Sequence, residues 1–340
     1  MRDVASQAGV SFQTAGKVLN GKGSVSPETR ERILVAAEHF GYVPNTLARS
    51  LVTRSTCTIG IVASDLSDAE LARFVTGAES EARRRGHGVL IGSVDPVGSD
   101  AERYLRMLVE RRVDGILTAA PQLEHDEKIG ALLSGEVPAV SIHRIPGVDV
   151  SLVGSDHVET ALLATRHLLE LGHRRIATVT GSDDRQVTAR RLRGYKQALD
   201  EVGVPYDEDL VECGGWEAEK AYDATLRLLG RVPDITAFYA QNDRMAFGVL
   251  SALHAQGMRV PEDCAVVGCD DIPLAAHAIP PLTTVHVPFY ETGETAVRVL
   301  LDIIAGRTDV PERVLLPVHL VRRGSCGARD EDMANLSMKE

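Results

Sequence analysis

The sequence predicts an α/β protein: a small helix-turn-helix head followed by a core of two doubly wound halves built on parallel sheets. Three observations carry that expectation. From residue 57 onward, short β-branched runs alternate with longer amphipathic stretches, the pattern of βαβ units. Residues 1–43 lack that alternation and read as consecutive short helices. Charge divides in nearly the same place: residues 1–54 hold seven Lys or Arg against four acids, although the 340-residue chain carries a net charge of −11. A mildly basic head on an acidic body fits a protein that touches a polyanion with one end.

From the N-terminus, "RDVASQAGV" places Val4, Ala5 and Ala8 on one apolar face and Gly9 in a tight turn. In "SFQTAGKVLN", Ser11 can cap a second helix and Val18 and Leu19 face back, leaving Ser11, Phe12, Gln13 and Lys17 toward solvent. Two helices joined through a glycine-containing turn make the helix-turn-helix pattern. Its second helix enters the DNA major groove by its N-terminal residues. Gln pairs bidentately with adenine there, and Lys reaches guanine acceptors. Gly16, inside that helix, costs about 1 kcal/mol of helix propensity and is expected to let the backbone approach DNA closely. "SVSPETRERILVAAEHFGY" gives a third helix with Ser26 as N-cap, Pro27 at its first position, Ile33, Ala37 and Phe40 as its apolar face, and Gly41 as terminator.

Next comes "YVPNTLARSLVTRST". Pro44 stops the preceding structure, Asn45 can cap, and Leu47, Ala48 and Leu51 form one face of a helix. At about seven residues it is too short to persist alone in water. Two copies packed over a minor groove would hold it, with Leu51 as an apolar wedge between base steps. The expected organisation is therefore a DNA-binding domain over 1–43, a hinge helix and linker over 44–56, a two-lobed effector-binding and dimerisation core over 57–323, and a polar, disordered tail over 324–340.

Within the core, eight strands are expected at "CTIGIVAS", "GVLIGSV", "GILTAA", "AVSIH", "RIATVTG", "AFYAQN", "CAVVGCDD" and "TTVHV". Glycines in "RRRGHG", "ELGHRR", "EVGVP" and "AQGMRVPED" are placed to end the helices between them. Ligands of such sheets sit beyond the strands' carboxyl ends. The "SD" after the first strand and the "QND" and "CDD" after later ones mark the expected cleft.

Several function classes are excluded. G-x-S-x-G, H-E-x-x-H and G-x-G-x-x-G are all absent. Residues 16–22 read G-K-V-L-N-G-K like the start of a P-loop, but Gly23 stands where Ser or Thr must hold magnesium, and helical periodicity precedes it. No enzyme is expected. The five cysteines form no C-x-x-C pair and several sit in apolar runs such as "CAVVGC". They read as reduced core thiols, so neither a zinc framework nor any cofactor is expected. No apolar run approaches the ~18 residues of a membrane span, and the N-terminus lacks a signal-peptide core. A cytoplasmic protein with no membrane partner is expected.

Taken together, "DVASQAGVS", "VLN", "SPETRERI", "GYVPN", "ARSL", "IGI", "RLRGY", "QNDRMAFGVL", "VPEDCAVVGCDD" and "PPLTTV" resemble the lactose/galactose repressor family of bacterial transcription regulators. The likeness runs in order from residue 2 to about residue 323. It implies a homodimeric repressor of a carbohydrate-utilisation operon, bound to pseudo-palindromic double-stranded operator DNA. It also implies a core like a type I periplasmic binding protein, with a small sugar effector between its lobes. Without a C-terminal leucine heptad, a dimer is expected rather than a tetramer.

Residue by residue, the resemblance puts phosphate contacts on Ser11, Thr14 and Asn20 and base contacts on Phe12, Gln13 and Lys17. In the hinge it puts DNA contacts on Asn45, Ala48 and Leu51. In the cleft it implies effector contacts from Arg191, Asn242, Asp270 and Phe289, ring stacking on Trp216, and His143 where the family commonly has aspartate, with Ser64 a further candidate. A guanidinium fork donates to vicinal hydroxyls, carboxylate and amide accept from them, and aromatic faces cover the apolar side of a sugar ring.

Two departures bear on DNA reading. Ala15, Gly16 and Lys17 replace the family's usual Val-Ser-Arg. The family also has several residues, with a capping threonine, before the position of Asp3. The first helix is therefore expected to be uncapped, as a late start codon or a trimmed chain would leave it. Two alternatives stand beside the sugar-responsive repressor: the same family with a non-sugar effector such as a nucleobase, or a solute-binding module without a regulatory role.

Overall fold

The computed structural model describes residues 1–19, 24–42, 55–95, 100–125, 127–133, 135, 137–145 and 148–327. They form two compact units, Met1–Thr56 and Cys57–Glu340.

The first unit holds α1 (Arg2–Gln7), α2 (Phe12–Leu19) and α3 (Pro27–His39). Its core is Val4, Ala5, Ala8, Ala15, Val18, Ile33, Ala36 and Ala37, a mostly alanine seam that brings short helices close. Ser11 Oγ accepts the Thr14 N–H at 3.1 Å and Ser26 Oγ accepts the Thr29 N–H at 3.3 Å, so both helices are capped as their sequences expect. Met1, the N-cap of α1, makes no side-chain cap bond. Gly9 and Gly41 hold φ of +63° and +56°, the left-handed region that suits glycine. One expectation is corrected. Phe40 is 47 % exposed, because α3 ends at His39 and Phe40 is its C-cap; Ala36 takes the core position instead. Gly16 to Leu19, the described part of the P-loop-like run, lie inside α2.

The second unit contains two six-stranded sheets. One is built from β1 (Thr58–Ala63), β2 (Gly88–Ser93), β3 (Gly115–Ala119), β4 (Ala139–Ser141), β5 (Ser151–Ser155) and β11 (Arg313–Leu316), in the order β11-β5-β4-β3-β1-β2. The other uses β6 (Ile176–Thr180), β7 (Val211–Cys213), β8 (Ala237–Ala240), β9 (Ala265–Asp270), β10 (Thr283–His286) and β12 (His319–Val321), in the order β12-β10-β9-β8-β6-β7. The two orders are equivalent, and only the β10–β12 pair is antiparallel.

The helices are α4 (Ala69–Arg84), α5 (Ala101–Glu110), α6 (Glu127–Leu133), α7 (His157–Glu170), α8 (Gln186–Glu201), α9 (Ala218–Arg231), α10 (Asp243–Ala255) and α11 (Phe289–Ile304). The chain passes between lobes three times. α7 packs with Ile176 and Val267 of the second sheet, α11 returns to Ile59 and Leu117 of the first, and β11 is followed by β12 of the second. α4 and α11 meet backbone to backbone: a Cβ at Gly77 would lie 2.0 Å from the Tyr290 carbonyl oxygen, and one at Gly293 would lie 2.1 Å from that of Phe74. Only glycine allows that approach.

All eight expected strands form, and the four helix-ending glycines, Gly86, Gly172, Gly203 and Gly257, hold positive φ. Four further strands, β5, β7, β11 and β12, were not expected. β7, β11 and β12 are sheet edges of three or four residues, and β5 is bracketed by serines; half-buried strands this short leave little apolar signal. The cysteine expectation is corrected in part. Cys264, Cys269 and Cys326 are buried, but Cys57 is half-buried and Cys213 is exposed, since one precedes β1 and the other ends the edge strand β7. Among the described residues, no helix is long and apolar enough to cross a membrane.

Candidate functional site

The carboxyl ends of both sheets open onto one cavity of about 340 Å³, where doubly wound sheets bind ligands. Ser64 follows β1, His143 follows β4, Asn242 follows β8, and Asp270 ends β9, while α8 supplies Arg191 and α11 starts with Phe289. With Trp216, after β7, all seven residues expected in the cleft line this cavity.

Arg191 is only 3 % exposed. Its Nη2 donates to Asp270 Oδ1 at 3.0 Å and its Nη1 donates to the Gln241 carbonyl. Gln241 is itself locked, accepting the Gly181 N–H at 3.2 Å and donating to the Thr188 carbonyl at 3.4 Å. Arg191 Nε is buried with no acceptor among the described residues. Burial pushes the Asp270 carboxyl above the usual carboxylate range, and the Arg191 charge opposes that shift. Asp270 and Asp271 hold φ of +111° and +55°, at about 1–3 kcal/mol each for non-glycine residues. Asp271 is pinned by His286 Nδ1 at 3.0 Å and Arg323 Nη2 at 2.7 Å.

Trp216 also holds a positive φ, +73°. Its ring centroid is 5.8 Å from Arg191 Cζ, and a Cβ added to Gly181 would come within 2.0 Å of the indole. The ring therefore lies against bare backbone on one side. Asn242 caps α10, its Oδ1 accepting the Met245 N–H at 2.8 Å. The cap uses one lone pair of that oxygen, so the side chain keeps a second acceptor position beside its NH₂ donors.

His143 Nδ1 lies 3.3 Å from Glu124 Oε1. Glu124 Oε2 also accepts the N–H of Gln186, the first residue of α8, at 3.1 Å, so one carboxylate ties the two lobes. Burial works against the Glu124 charge, but the His143 hydrogen bond holds its pKa below the ordinary value. Burial, and then the Arg191 charge, hold His157 well below the usual imidazole range, leaving it neutral.

The sequence reading missed Asp68, Glu70, Arg185, Glu217 and Arg244, which also line the cavity together with Asp65 of the expected "SD". Burial, with Asp68 adding to it, pushes the Glu70 carboxyl up to about 9. Asp68 is the N-cap of α4, accepting the Glu70 N–H at 3.1 Å. "SDLSDAE" reads as an ordinary capped helix start; its place beyond β1 was the only available signal.

On the head, Phe12 is 56 % exposed, and Gln13 and Lys17 are exposed beside it on α2. Ser11 Oγ and Thr14 Oγ1 are bonded at 2.8 Å. Among the described residues a Cβ at Gly16 would meet nothing nearer than Met1 Cε at 4.0 Å, so none of them requires glycine there. Asn20, Asn45, Ala48 and Leu51 lie outside the described residues.

A helix-turn-helix head followed by a two-lobed core with an interlobe cavity defines a DNA-binding transcription regulator of the solute-binding-core type. The family model "Bacterial regulatory proteins, lacI family" matches residues 1–45, and "Periplasmic binding protein-like domain" matches 165–326. The chain is 39 % identical over 331 residues to the HTH-type transcriptional regulator CelR of Thermobifida fusca, covering 95 % of this chain and 96 % of that protein. It is 35 % identical over 330 residues to the HTH-type transcriptional regulator GalS of Salmonella typhimurium, covering 97 % of each. Among solved structures, a CelR–cellobiose complex matches with a TM-score of 0.74 and 38 % identity, over 95 % of this chain and 98 % of that one. A lac repressor dimer bound to operator and an anti-inducer matches with a TM-score of 0.85 and 31 % identity, over 96 % and 98 %. The chain belongs to the lacI family of bacterial regulatory proteins. It is a transcription regulator, not an enzyme.

Proposed function

We propose that this regulator is a cytoplasmic homodimeric repressor whose operator affinity is set by a neutral sugar held in the interlobe cavity. The buried Arg191–Asp270 pair carries the reading. A guanidinium fixed by Asp270 and the Gln241 carbonyl lines the cavity with a charged hydrogen-bond donor group, and Trp216 offers a ring face beside it. The cleft cations each have an acid at hand: Arg191 with Asp270, Arg244 with Glu217 at 3.2 Å, and Arg185 near Asp184 at 3.7 Å. With no uncompensated cation among them, the cleft favours a neutral polyhydroxy ligand over a phosphorylated one. The related CelR complex holds cellobiose, which agrees with that chemistry. On the DNA side, Gln13 and Lys17 read bases, Ser11, Thr14 and Asn20 hold phosphates, and the hinge contributes Asn45, Ala48 and Leu51.

Trp216 is the single tryptophan, so emission excited selectively beyond the tyrosine absorption band reports on the cleft. Titration with neutral mono- and disaccharides is expected to give a saturable emission change for one sugar, and the same sugar is expected to change the gel shift of DNA flanking the protein's own gene. A panel that leaves the emission unchanged, or a shift indifferent to the sugar that binds, would overturn the reading.

A further inference from the structure

The N-terminal ends of the first sheet's strands, at the opposite pole from the cleft, carry a side-chain cluster the cleft does not use. Cys57, His87 and Asp114 immediately precede β1, β2 and β3, which are adjacent parallel strands. One donor atom from each residue lies within 4.8 Å of the other two, and all three residues are partly buried. We propose that Cys57, His87 and Asp114 bind a zinc-class divalent cation, with water in the fourth position.

The donor set selects the ion. A thiolate, an imidazole and a carboxylate suit Zn²⁺, whereas Mg²⁺ and Ca²⁺ take oxygen ligands. His87 Nδ1 lies 3.2 Å from the Arg85 carbonyl. Donating its N–H there leaves the Nε2 lone pair as the ligand, which is how metal-bound histidines are oriented. Asp114 Oδ2 accepts the Cys57 N–H at 2.8 Å, so the carboxylate is fixed to the backbone that carries the thiol. Cys57 holds φ +50°, a conformation in which glycine would be the relaxed residue. Bonds of about 2.0–2.3 Å in a tetrahedron put donors about 3.5 Å apart, so binding draws the three inward by side-chain rotation. The Cys57 thiol proton passes to solvent as the Zn–S bond forms. The ion then cross-links the first residue of the core unit to two neighbouring strand starts.

Cobalt titration of the reduced full-length chain tests the site. One equivalent of Co²⁺ is expected to give tetrahedral visible bands with a thiolate-to-cobalt transition, displaced by Zn²⁺. Cys57→Ser is expected to lose the thiolate transition, and His87→Gln to bind at least about tenfold more weakly, both with the parent's melting temperature in EDTA. A spectrum without a thiolate band, or a band unchanged in Cys57→Ser, would overturn the proposal. If Cys57→Ser does not fold, alkylation decides: Zn²⁺ is expected to protect Cys57 in the parent and not in His87→Gln. Equal protection in both, or none in either, counts against the site.

Discussion

On the head, Gln13 and Lys17 stand in solvent, and no ion pair among the described residues engages Lys17. In the cleft, Arg191 and Asp270 are 3 % and 5 % exposed and bonded to each other. Phe12 is 56 % exposed on α2 and is no part of the head's core cluster, whereas Trp216 packs against the second lobe's core. The contrast separates two ways of holding a recognition residue. A helix face presented to DNA can change without disturbing the alanine seam behind it. The cleft side chains belong to the core, so altering ligand recognition there also alters stability.

The largest effect should come from Arg191→Ala. It leaves the Asp270 carboxyl buried without its cation, a loss of about 3–5 kcal/mol, visible as a lower urea midpoint together with a lost effector response. Asp270→Asn should lose less, about 1–3 kcal/mol, because an amide can still accept from Arg191. A parent-like midpoint for Arg191→Ala would break the contrast at its stronger end.

On the head the order reverses. Gln13→Ala and Lys17→Ala should leave unfolding within about 0.5 kcal/mol of the parent, yet weaken operator binding by about 1–3 kcal/mol each and relax preference at one position per half-site. Equal losses on operator and random DNA would show that they contact phosphates and do not read bases.

Most of this architecture was legible in the sequence because two periodicities and the turn glycines were clean. The "TIGIVA" and "AVVGCD" strands are buried along nearly their whole length, so they appear as unbroken apolar runs. β11 alternates exposed and half-buried residues and left no such run. The equivalent strand order of the two lobes was invisible because it resides in connection order, with no repeated residues. The resemblance supplied the cleft residues one at a time. It missed Glu70 and Asp68, whose place on the cavity wall shows only once the chain is folded. Cys57, His87 and Asp114 lie far apart in the chain and meet only because their strands are neighbours.

Glu70 gives a pH-dependent test at the cleft. Its folded pKa, about 9, stands above its ordinary 4.5, so the folded state keeps a proton that the unfolded chain has lost. That contribution is complete below about pH 4.5 and declines as pH rises toward about 9, at no more than about 1.4 kcal/mol per pH unit. Glu70→Gln copies the protonated group and should remove the Glu70 share of the slope, leaving that of Asp243. Comparing parent and variant melts at about pH 6 and about pH 8 separates Glu70 from Asp243, whose carboxyl burial pushes up to about 8. Identical pH profiles would mean that Glu70 is ionised in the folded chain.

The smallest effect belongs to Gly16, on the exposed side of the contrast. A methyl there meets only Met1 Cε at 4.0 Å, so Gly16→Ala fits the free head and should stabilise α2 by up to about 1 kcal/mol through helix propensity. Among the described residues no close side-chain contact explains the glycine, and close approach of the DNA backbone is the account to test. On that account the stabilised variant must bind operator more weakly, because the added methyl occupies the space between α2 and the groove. A calorimetric melt paired with an operator titration separates the two effects. A variant that melts higher and binds as well as the parent would make Gly16 a tolerated surface residue and end the case for close backbone approach.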